Sequence, residues 1–490
     1  MNNNNNISEL MIQINLHNKW IKECCVEFSS IEFASEAPHT LTRVILKLSD
    51  ILIEHADYWK EASQYDKDAI DHLRKNLRFQ RTIGSFFEFI HNSTINLVSW
   101  SLIEPLQNIL SNILKKDVEK KDVDLFLSSV WEYNFSVLLI NLKEGFRISL
   151  YKDFQSIGIE KLENVLAEFD KDFYLLLMPS NEKLNPLRLA LISHEIGHFV
   201  AKDVLSKEFK EKYRDLLESK YKSTSTETAN KQVLEEISDI WQRGLQETIS
   251  DYFGVRLWGF PVAFALNSIA NEVGLDQPDS PLKHGYPSWG RRLKVVVKAL
   301  EFMNILKVDI EKIFSTEEDS EIESKLSDWY ELLKAEDGIR KNKINELIGQ
   351  LQKHAINVTY DYAREDGLKA HIAYSLFEQA LNEALEIVEK EYKHCLLEAD
   401  AFNEQFYDEV PDLVKQLVLG IPPNVVLSKN KTASLTGILN AICIWQVTKY
   451  GSEKFDEDSL KELSKNFKLC LRAIEMSHLQ KIYQKNMENN

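Results

Sequence analysis

Three features are scarce in this 490-residue sequence: cysteine, long apolar stretches and positive charge. The five cysteines are odd in number and lack the paired spacing of a zinc knuckle, so they argue against a disulfide framework and against a cysteine-based metal site. We therefore predict reduced thiols that mostly fill the core of a cytoplasmic protein. The cysteines are Cys24, Cys25, Cys395, Cys443 and Cys470.

The sequence contains no stretch of about 18 apolar residues, the length that crosses a bilayer as a helix. The segment from Ile438 to Val447 comes nearest, but Asn440 and Gln446 interrupt it. The asparagine run up to Asn6 lacks the basic start and the apolar centre of a signal peptide. We therefore expect no signal peptide and no stable membrane insertion.

Acidic residues outnumber basic ones, with 76 Asp and Glu against 59 Lys and Arg and a net charge of −17. Because no basic segment offsets this excess, we expect no nucleic-acid partner and no binding to anionic lipid. A content of 44% hydrophobic and 28% charged residues is ordinary for a soluble globular protein, and the length allows two to four domains.

Both ends of the chain show the helical pattern in which apolar residues recur three and four positions apart. The pattern runs from about Ile7 to Lys120, and it returns after Leu300 until a break at Gly420 to Asn424. Between these ends, the chain near residue 150 is less helical. We predict an α+β protein that is predominantly α-helical, with a helical N-terminal region (1–121), a core with a small sheet (122–305) and a helical C-terminal region (306–490).

The predicted sheet lies between about Asp122 and Pro179. Phe146 to Leu150 alternates apolar and polar residues like a half-buried strand, and Phe173 to Met178 resembles a buried strand that ends at Pro179. Ser136 to Leu142 is compatible with either a strand or a helix. A strand at the edge of such a sheet, running along a cleft, can hold an extended peptide by main-chain hydrogen bonds.

The sequence contains His-Glu-x-x-His at His194, Glu195 and His198. Residues four apart lie on one face of a helix, so both imidazoles can reach one metal ion and the Glu lies beside a metal-bound water. A random chain of this composition contains the motif roughly three times in a hundred. The alternative is a pair of hydrogen-bonded core histidines. Asn185 and Pro186, which are typical of a helix start, and the largely apolar residues that follow predict a buried helix. The residues further along the chain favour the metal site over the core-histidine alternative.

A second long helix is predicted from about Gln232 to Trp258, and Glu247 and Asp251 lie four apart on it. A zinc ion held by two histidines needs a third ligand, and a ligand histidine commonly donates its other ring hydrogen to a carboxylate. Glu247 and Asp251 can supply both. The carboxylates that compete for the third ligand position are Glu235, Glu236, Asp239 and Asp251.

With these two helices, the chain resembles the gluzincins, the thermolysin-like zinc metallopeptidases whose pattern is His-Glu-x-x-His followed by a Glu-x-x-x-Asp helix. The resemblance covers about residues 185–295 and implies a zincin-like catalytic core. It implies that His194, His198 and Glu247 bind Zn²⁺, that Glu195 is the general base, and that Asp251 orients a ligand histidine.

The segment from His284 to Arg292 resembles a His-Pro-containing segment, ending in Arg, that follows the third ligand in some of these relatives. Here Tyr286 stands before the proline. The resemblance implies that Tyr286, His284 or Arg291 stabilises the oxyanion, and the sequence does not choose among them. Alternatively, the segment is a surface turn, and Arg291 and Arg292 pair with acidic groups that fix the loop in place. Arg291, like Asp251, is expected to lie just behind the metal ligands.

The resulting expectation is a zinc metalloendopeptidase that hydrolyses peptide bonds in a protein or peptide substrate. Zinc would lower the pKa of its bound water, and Glu195 would take a proton from that water and pass it to the leaving amine. The large helical flanks suggest a narrow substrate range or a regulatory protein partner. The alternatives are an inactive zinc-stabilised helical module that binds a protein partner, and a helical scaffold without metal.

Overall fold

The computed structural model describes residues 3–33, 35–62, 67–98, 100–114, 123–132, 135–137, 141–154, 157–224, 231–275, 286–309, 313, 339–356, 367–396, 398–450 and 456–488. The chain divides into two compact units, Met1–Lys183 and Leu184–Asn490. His284 lies outside the described residues.

The first unit consists of helices and one small sheet. One side of its second helix shows why the chain is helical here, because Leu41, Val44, Ile45, Leu48 and Leu52 are all fully buried and lie on a single face. The helices are α1 (Asn3–Ser29), α2 (Ala37–Ala62), α3 (Lys67–His91), α4 (Ile103–Leu114), α5 (Leu142–Asp153) and α6 (Ile159–Leu166), with 3-10 turns at Trp100–Leu102 and Ser180–Glu182.

The sheet has the strand order β1-β3-β2, with β1 at Val123–Val130, β2 at Ser136–Val137 and β3 at Asp172–Pro179. Strands β1 and β3 are parallel, whereas β2 is antiparallel to β3. Most residues of β1 and β3 are buried, which explains why β3 is a largely apolar run without alternation. Strand β1 also contains the buried Ser128 and Ser129. The prediction of a strand ending at Pro179 is confirmed.

The strand predicted at Phe146 to Leu150 is wrong, because these residues lie in α5. Asn141 caps this helix by accepting a hydrogen bond from the Lys143 amide at 3.1 Å. Phe146 and Leu150, four apart, are buried on its inner face, while Ile148 is 59% exposed. The apolar and polar alternation in the sequence therefore counted Ile148 as a core residue, although its side chain faces solvent.

The second unit contains the His-Glu-x-x-His motif and is almost entirely helical. The left-handed Gly420, with φ of +73°, ends one of its long helices at the predicted break. Its elements are α7 (Pro186–Leu189), α8 (Ile192–Val204), α9 (Lys207–Thr224), α10 (Lys231–Trp258), α11 (Phe260–Val273), α12 (Trp289–Phe302), α13 (Ile339–Ile356), α14 (Gly367–Ser375), α15 (Phe377–Glu391), α16 (Ala399–Leu419), β4 (Val425–Val426), a 3-10 turn (Leu427–Lys429), β5 (Lys431–Thr432), α17 (Leu435–Tyr450) and α18 (Glu457–Glu488).

The motif helix begins later than its sequence suggests. Asn185 caps α7 by accepting hydrogen bonds from the amides of Leu187 and Arg188, and the chain then turns at Ala190 before α8 starts. The predicted fold class, a predominantly helical α+β protein with a small sheet, is confirmed by these elements. Among the described helices, none is long and apolar enough to span a bilayer.

Candidate metal centre

The candidate site forms where α8 packs against α10. Two glycines allow the close approach: Gly197 of α8 faces the backbone of Ser250, and Gly254 of α10 faces Ser193 and the His194 amide. A side chain at either position would enter the opposing helix. The two backbones therefore come close enough for short acidic side chains of α10 to reach the histidines of α8.

Both histidines of the motif meet the Glu247 carboxylate. Its Oε2 atom lies 3.5 Å from His194 Nε2, and its Oε1 atom lies 3.9 Å from His198 Nε2. The two imidazole rings are 4.9 Å apart and nearly perpendicular. The Glu247 carboxylate thus lies within 3.9 Å of the Nε2 atoms of both imidazoles, one oxygen facing each ring.

Glu195 lies at the edge of the same group, with its Oε1 atom 3.9 Å from His194 Nε2. His194, Glu195 and His198 can each offer one ligand atom within 4.8 Å of the others, a spacing that allows them to hold a metal ion. Glu195, Glu247 and His198 each keep a small part of their side chains exposed. The group is therefore not completely sealed from solvent.

Asp251 lies behind His194, away from Glu247. Its Oδ1 atom is 2.8 Å from His194 Nδ1, and its side chain is fully buried. A carboxylate in this position holds a hydrogen on Nδ1 and orients the ring so that Nε2 faces Glu247.

Arg292 supplies the positive charge that this buried carboxylate needs. Its Nε atom donates to Asp251 Oδ2 at 2.7 Å, and Nη2 donates to Oδ1 at 2.8 Å. The same Nη2 atom lies 3.4 Å from Glu247 Oε2, and the guanidinium stacks over the Trp289 ring at 4.2 Å. Arg292 therefore contacts both carboxylates of α10.

Arg291 was predicted to lie just behind the ligands, and both it and Arg292 were predicted to pair with acidic groups, but only Arg292 reaches the carboxylates near the histidines. Arg291 points elsewhere: it lies over the rings of Tyr374 and Phe377 and is 3.6 Å from the largely exposed Glu378. Because successive residues on a helix point about 100° apart, only one of two adjacent arginines can face the site. The sequence shows the two adjacent arginines, but it does not show which of them the rotation of α12 turns toward the site.

The remaining predicted site residues are placed as follows. Tyr286 is half-buried and lies two residues before Ser288, which caps α12 by accepting a hydrogen bond from the Arg291 amide. Of the four competing carboxylates, Asp251 lies behind His194, and the other three belong to earlier turns of α10. Glu235 pairs with Lys231, Glu236 with Lys369, and Asp239 with Arg243.

The electrostatics of the two histidines differ. Burial alone would lower the pKa of His194, but the carboxylates of Asp251 and Glu247 raise it to about 10. Burial dominates at His198 and lowers its pKa to about 4. Burial opposes ionisation of Glu247 and Asp251, yet the pKa of each carboxyl lies below its ordinary value because of His194 and Arg292.

These charges favour the binding of a cation at the site. The low pKa values of the Glu247 and Asp251 carboxyl groups favour their charged forms, and both carboxylates contact the guanidinium of Arg292. Glu247 also lies 3.5 Å from His194 Nε2, close enough for both to bind one ion. The residues present therefore fit a bound metal ion. Comparison of the chain with protein-family models, with curated proteins and with solved structures found no match.

Proposed function

We propose that this chain is a zinc-dependent metallopeptidase that hydrolyses peptide bonds. The observation that carries the proposal is the position of the Glu247 carboxylate, within 3.9 Å of the Nε2 atoms of both motif histidines. Two imidazoles and one carboxylate form a common protein ligand set of catalytic zinc sites, in which the fourth position stays open for water or substrate. A structural zinc site is usually closed by four protein ligands.

In this proposal, His194, His198 and Glu247 hold the metal, while Asp251 fixes the tautomer of His194. Zinc bound there would polarise a peptide carbonyl and lower the pKa of a water molecule. Arg292 holds Asp251 through two hydrogen bonds and so keeps His194 in place. The resemblance to the gluzincins supports the same assignment of these residues.

Glu195 is the general base. Its carboxylate lies next to His194 Nε2 and retains access to solvent. It takes one proton from the attacking water and returns that proton to the amine that leaves when the peptide bond breaks. Proton balance is complete, because the second proton of the water stays with the new carboxyl group.

The group that stabilises the oxyanion belongs to the segment before or at the start of α12. Tyr286, His284 and Arg291 remain the candidates. Tyr286 is half-buried, and its segment leads directly into the helix that carries Arg292. Its hydroxyl is a suitable hydrogen-bond donor for an oxyanion.

We further propose a protein or peptide substrate in the cytoplasm. The five cysteines are free, and Cys25, Cys443 and Cys470 are buried in the core, as expected for a chain kept reduced. An acidic chain with reduced thiols fits this compartment.

The test combines elemental analysis with a proteome-wide cleavage screen of wild type and Glu195→Gln. We expect one zinc ion per chain in both proteins and cleavage products from wild type alone, because the variant keeps the metal ligands but loses the base. Turnover should fall by a factor on the order of 10² to 10⁴. His194→Ala is the control that should lose the metal. Zinc without cleavage in wild type would favour the zinc-stabilised binding module instead.

A further inference from the structure

A polar clamp joins both site helices to the end of α15. Glu389 lies in the last turn of α15 and contacts α10, and Tyr392 directly follows the helix and contacts α8. These residues lie three apart, so they are neighbours on one helical face. Neither belongs to a motif in the sequence.

Glu389 makes the stronger of the two contacts. Its Oε1 atom accepts hydrogen bonds from Arg256 Nε at 2.6 Å and from Tyr252 OH at 2.7 Å, while Oε2 accepts from Arg256 Nη2 at 2.9 Å. Arg256 and Tyr252 are almost completely buried. A two-point contact between a guanidinium and a carboxylate fixes orientation as well as distance. It therefore holds the part of α10 that directly follows Asp251.

Tyr392 makes the corresponding contact to the motif helix. Its hydroxyl donates to Asp203 Oδ2 at 2.5 Å, and the tyrosine ring is buried. Asp203 lies near the end of α8, five residues after His198. This hydrogen bond limits the rotation of α8 about its own axis.

The clamp adds to the direct contacts between α8 and α10. The two helices approach closely at Gly197 and Gly254, and His194 of α8 contacts Asp251 of α10. A zinc site tolerates errors of only about 0.2 Å in its ligand distances. Contacts outside the site that limit small rotations of either helix therefore affect the ligand geometry.

We propose that Glu389 and Tyr392 are positioning residues that set the orientation of α8 relative to α10, so that both motif histidines face Glu247. The inference rests on the metal centre of the proposed function, but not on peptide hydrolysis. Glu389 acts through Arg256 and Tyr252, and Tyr392 acts through Asp203. None of these residues touches the metal position itself.

The same helix offers a matched control. Glu383 of α15 accepts hydrogen bonds from Lys212 Nζ at 2.7 Å and from Tyr213 OH at 2.9 Å. Both partners belong to α9, where none of the predicted site residues lies. Glu383→Gln thus removes a similar contact from α15 without loosening either site helix.

The experiment compares Glu389→Gln, Tyr392→Phe and Glu383→Gln in the full chain. Zinc affinity is measured by competition with a chromophoric chelator, and ligand geometry is read from the visible spectrum of the cobalt(II)-substituted protein. We expect Glu389→Gln and Tyr392→Phe to weaken zinc binding about tenfold and to shift the cobalt bands. Glu383→Gln should lower the melting temperature while leaving affinity and spectrum unchanged.

Tyr392→Phe keeps the inference testable if Glu389→Gln fails to fold, because it removes a single hydroxyl and retains the buried ring. An unchanged affinity and spectrum in Tyr392→Phe, or equal behaviour of Glu389→Gln and Glu383→Gln, would overturn the positioning role alone. If wild type binds no more zinc than His194→Ala, the metal centre and its positioning both fail.

Discussion

Gly197 lies so close to Ser250 that a Cβ atom added at residue 197 would be 2.8 Å from Ser250 Cα and 2.9 Å from its carbonyl oxygen. Both atoms belong to the backbone of α10, so a side chain cannot be accommodated by a change of rotamer. The glycine inside the His-Glu-x-x-His motif is therefore a packing requirement of the site.

We predict that Gly197→Ala destabilises the protein by about 1 to 3 kcal/mol and weakens zinc binding, because the added methyl group pushes α8 away from α10. Gly349→Ala is the control, since a Cβ there meets nothing within 4 Å. That change should leave stability unchanged or raise it by about 1 kcal/mol through higher helix propensity. Chemical denaturation and a zinc titration of both variants measure the effects. Wild-type zinc affinity in Gly197→Ala would contradict the packing argument.

The adjacent arginines of α12 form a second matched pair. Arg292→Gln leaves the fully buried Asp251 without its cation, so we expect the free energy of unfolding to fall by about 3 to 5 kcal/mol. Arg291→Gln should cost about 1 kcal/mol or less, because its carboxylate partner, Glu378, is largely exposed and such surface pairs contribute little. Urea denaturation curves of both variants measure the two losses of unfolding free energy. Equal losses would show that the two guanidinium groups are equally important to the fold.

The two carboxylates of α10 should respond differently to mutation. Glu247→Ala should abolish stoichiometric zinc binding, because it removes the group that contacts both imidazoles. Asp251→Asn should weaken zinc binding by roughly 10- to 100-fold, because it disturbs the orientation of His194 without removing a ligand. Zinc content after gel filtration measures the first effect, and chelator competition measures the second. If Asp251→Asn abolishes zinc binding and Glu247→Ala only weakens it, Asp251 is the ligand.

A pH effect is expected in the first unit at His55. Burial, and to a smaller extent the charge of His72, lower the pKa of His55 to about 4, and the Trp59 indole donates a hydrogen bond to its Nε2 atom at 3.1 Å. Above pH 6.5, His55 is neutral in both folded and unfolded chains. Between pH 6.5 and pH 4, the unfolded chain gains a proton that the folded chain excludes, so acid lowers the free energy of unfolding, by about 2 kcal/mol at pH 5.

Hydrogen exchange of peptides from α2 at pH 7 and pH 5 measures this loss of stability. His55→Gln should show a smaller loss than wild type, because glutamine stays neutral and can still accept the indole hydrogen bond. His91→Gln, which changes an exposed histidine, is the control and should match wild type. An identical pH response in all three proteins would exclude His55 as the source.

Much of the candidate site followed from local sequence patterns. Helical spacing placed His194 with His198 and Glu247 with Asp251, and these pairs depend only on the geometry of a single helix. The fold class followed from the same periodicity. The strand at Phe173 to Met178 was also recognisable, because a short apolar run that ends at a proline has few other interpretations.

What the sequence did not reveal depends on contacts between distant segments. Arg292 and Arg291 are chemically identical neighbours, and only the rotation of α12 against α10 selects one of them. Glu389 is one acidic residue among many on an amphipathic helix, and its partner Arg256 lies 133 residues earlier. The Phe146 to Leu150 error has a different cause, since the Asn141 cap and the four-residue spacing of buried positions overrode a local alternation.

The distance along the chain between Asp251 and Arg292 also sets an order of assembly during synthesis. The helices that carry His194, His198, Glu247 and Asp251 leave the ribosome first, but the cation that neutralises Asp251 follows 41 residues later. The carboxylate that holds Tyr252 follows only after 137 residues. A nascent chain that has just completed α10 thus has every predicted ligand but lacks the contacts that Arg292 and Glu389 make with α10. A fragment ending at Trp258 would carry the whole motif without a stable site, so the long C-terminal part of the chain decides when the centre forms.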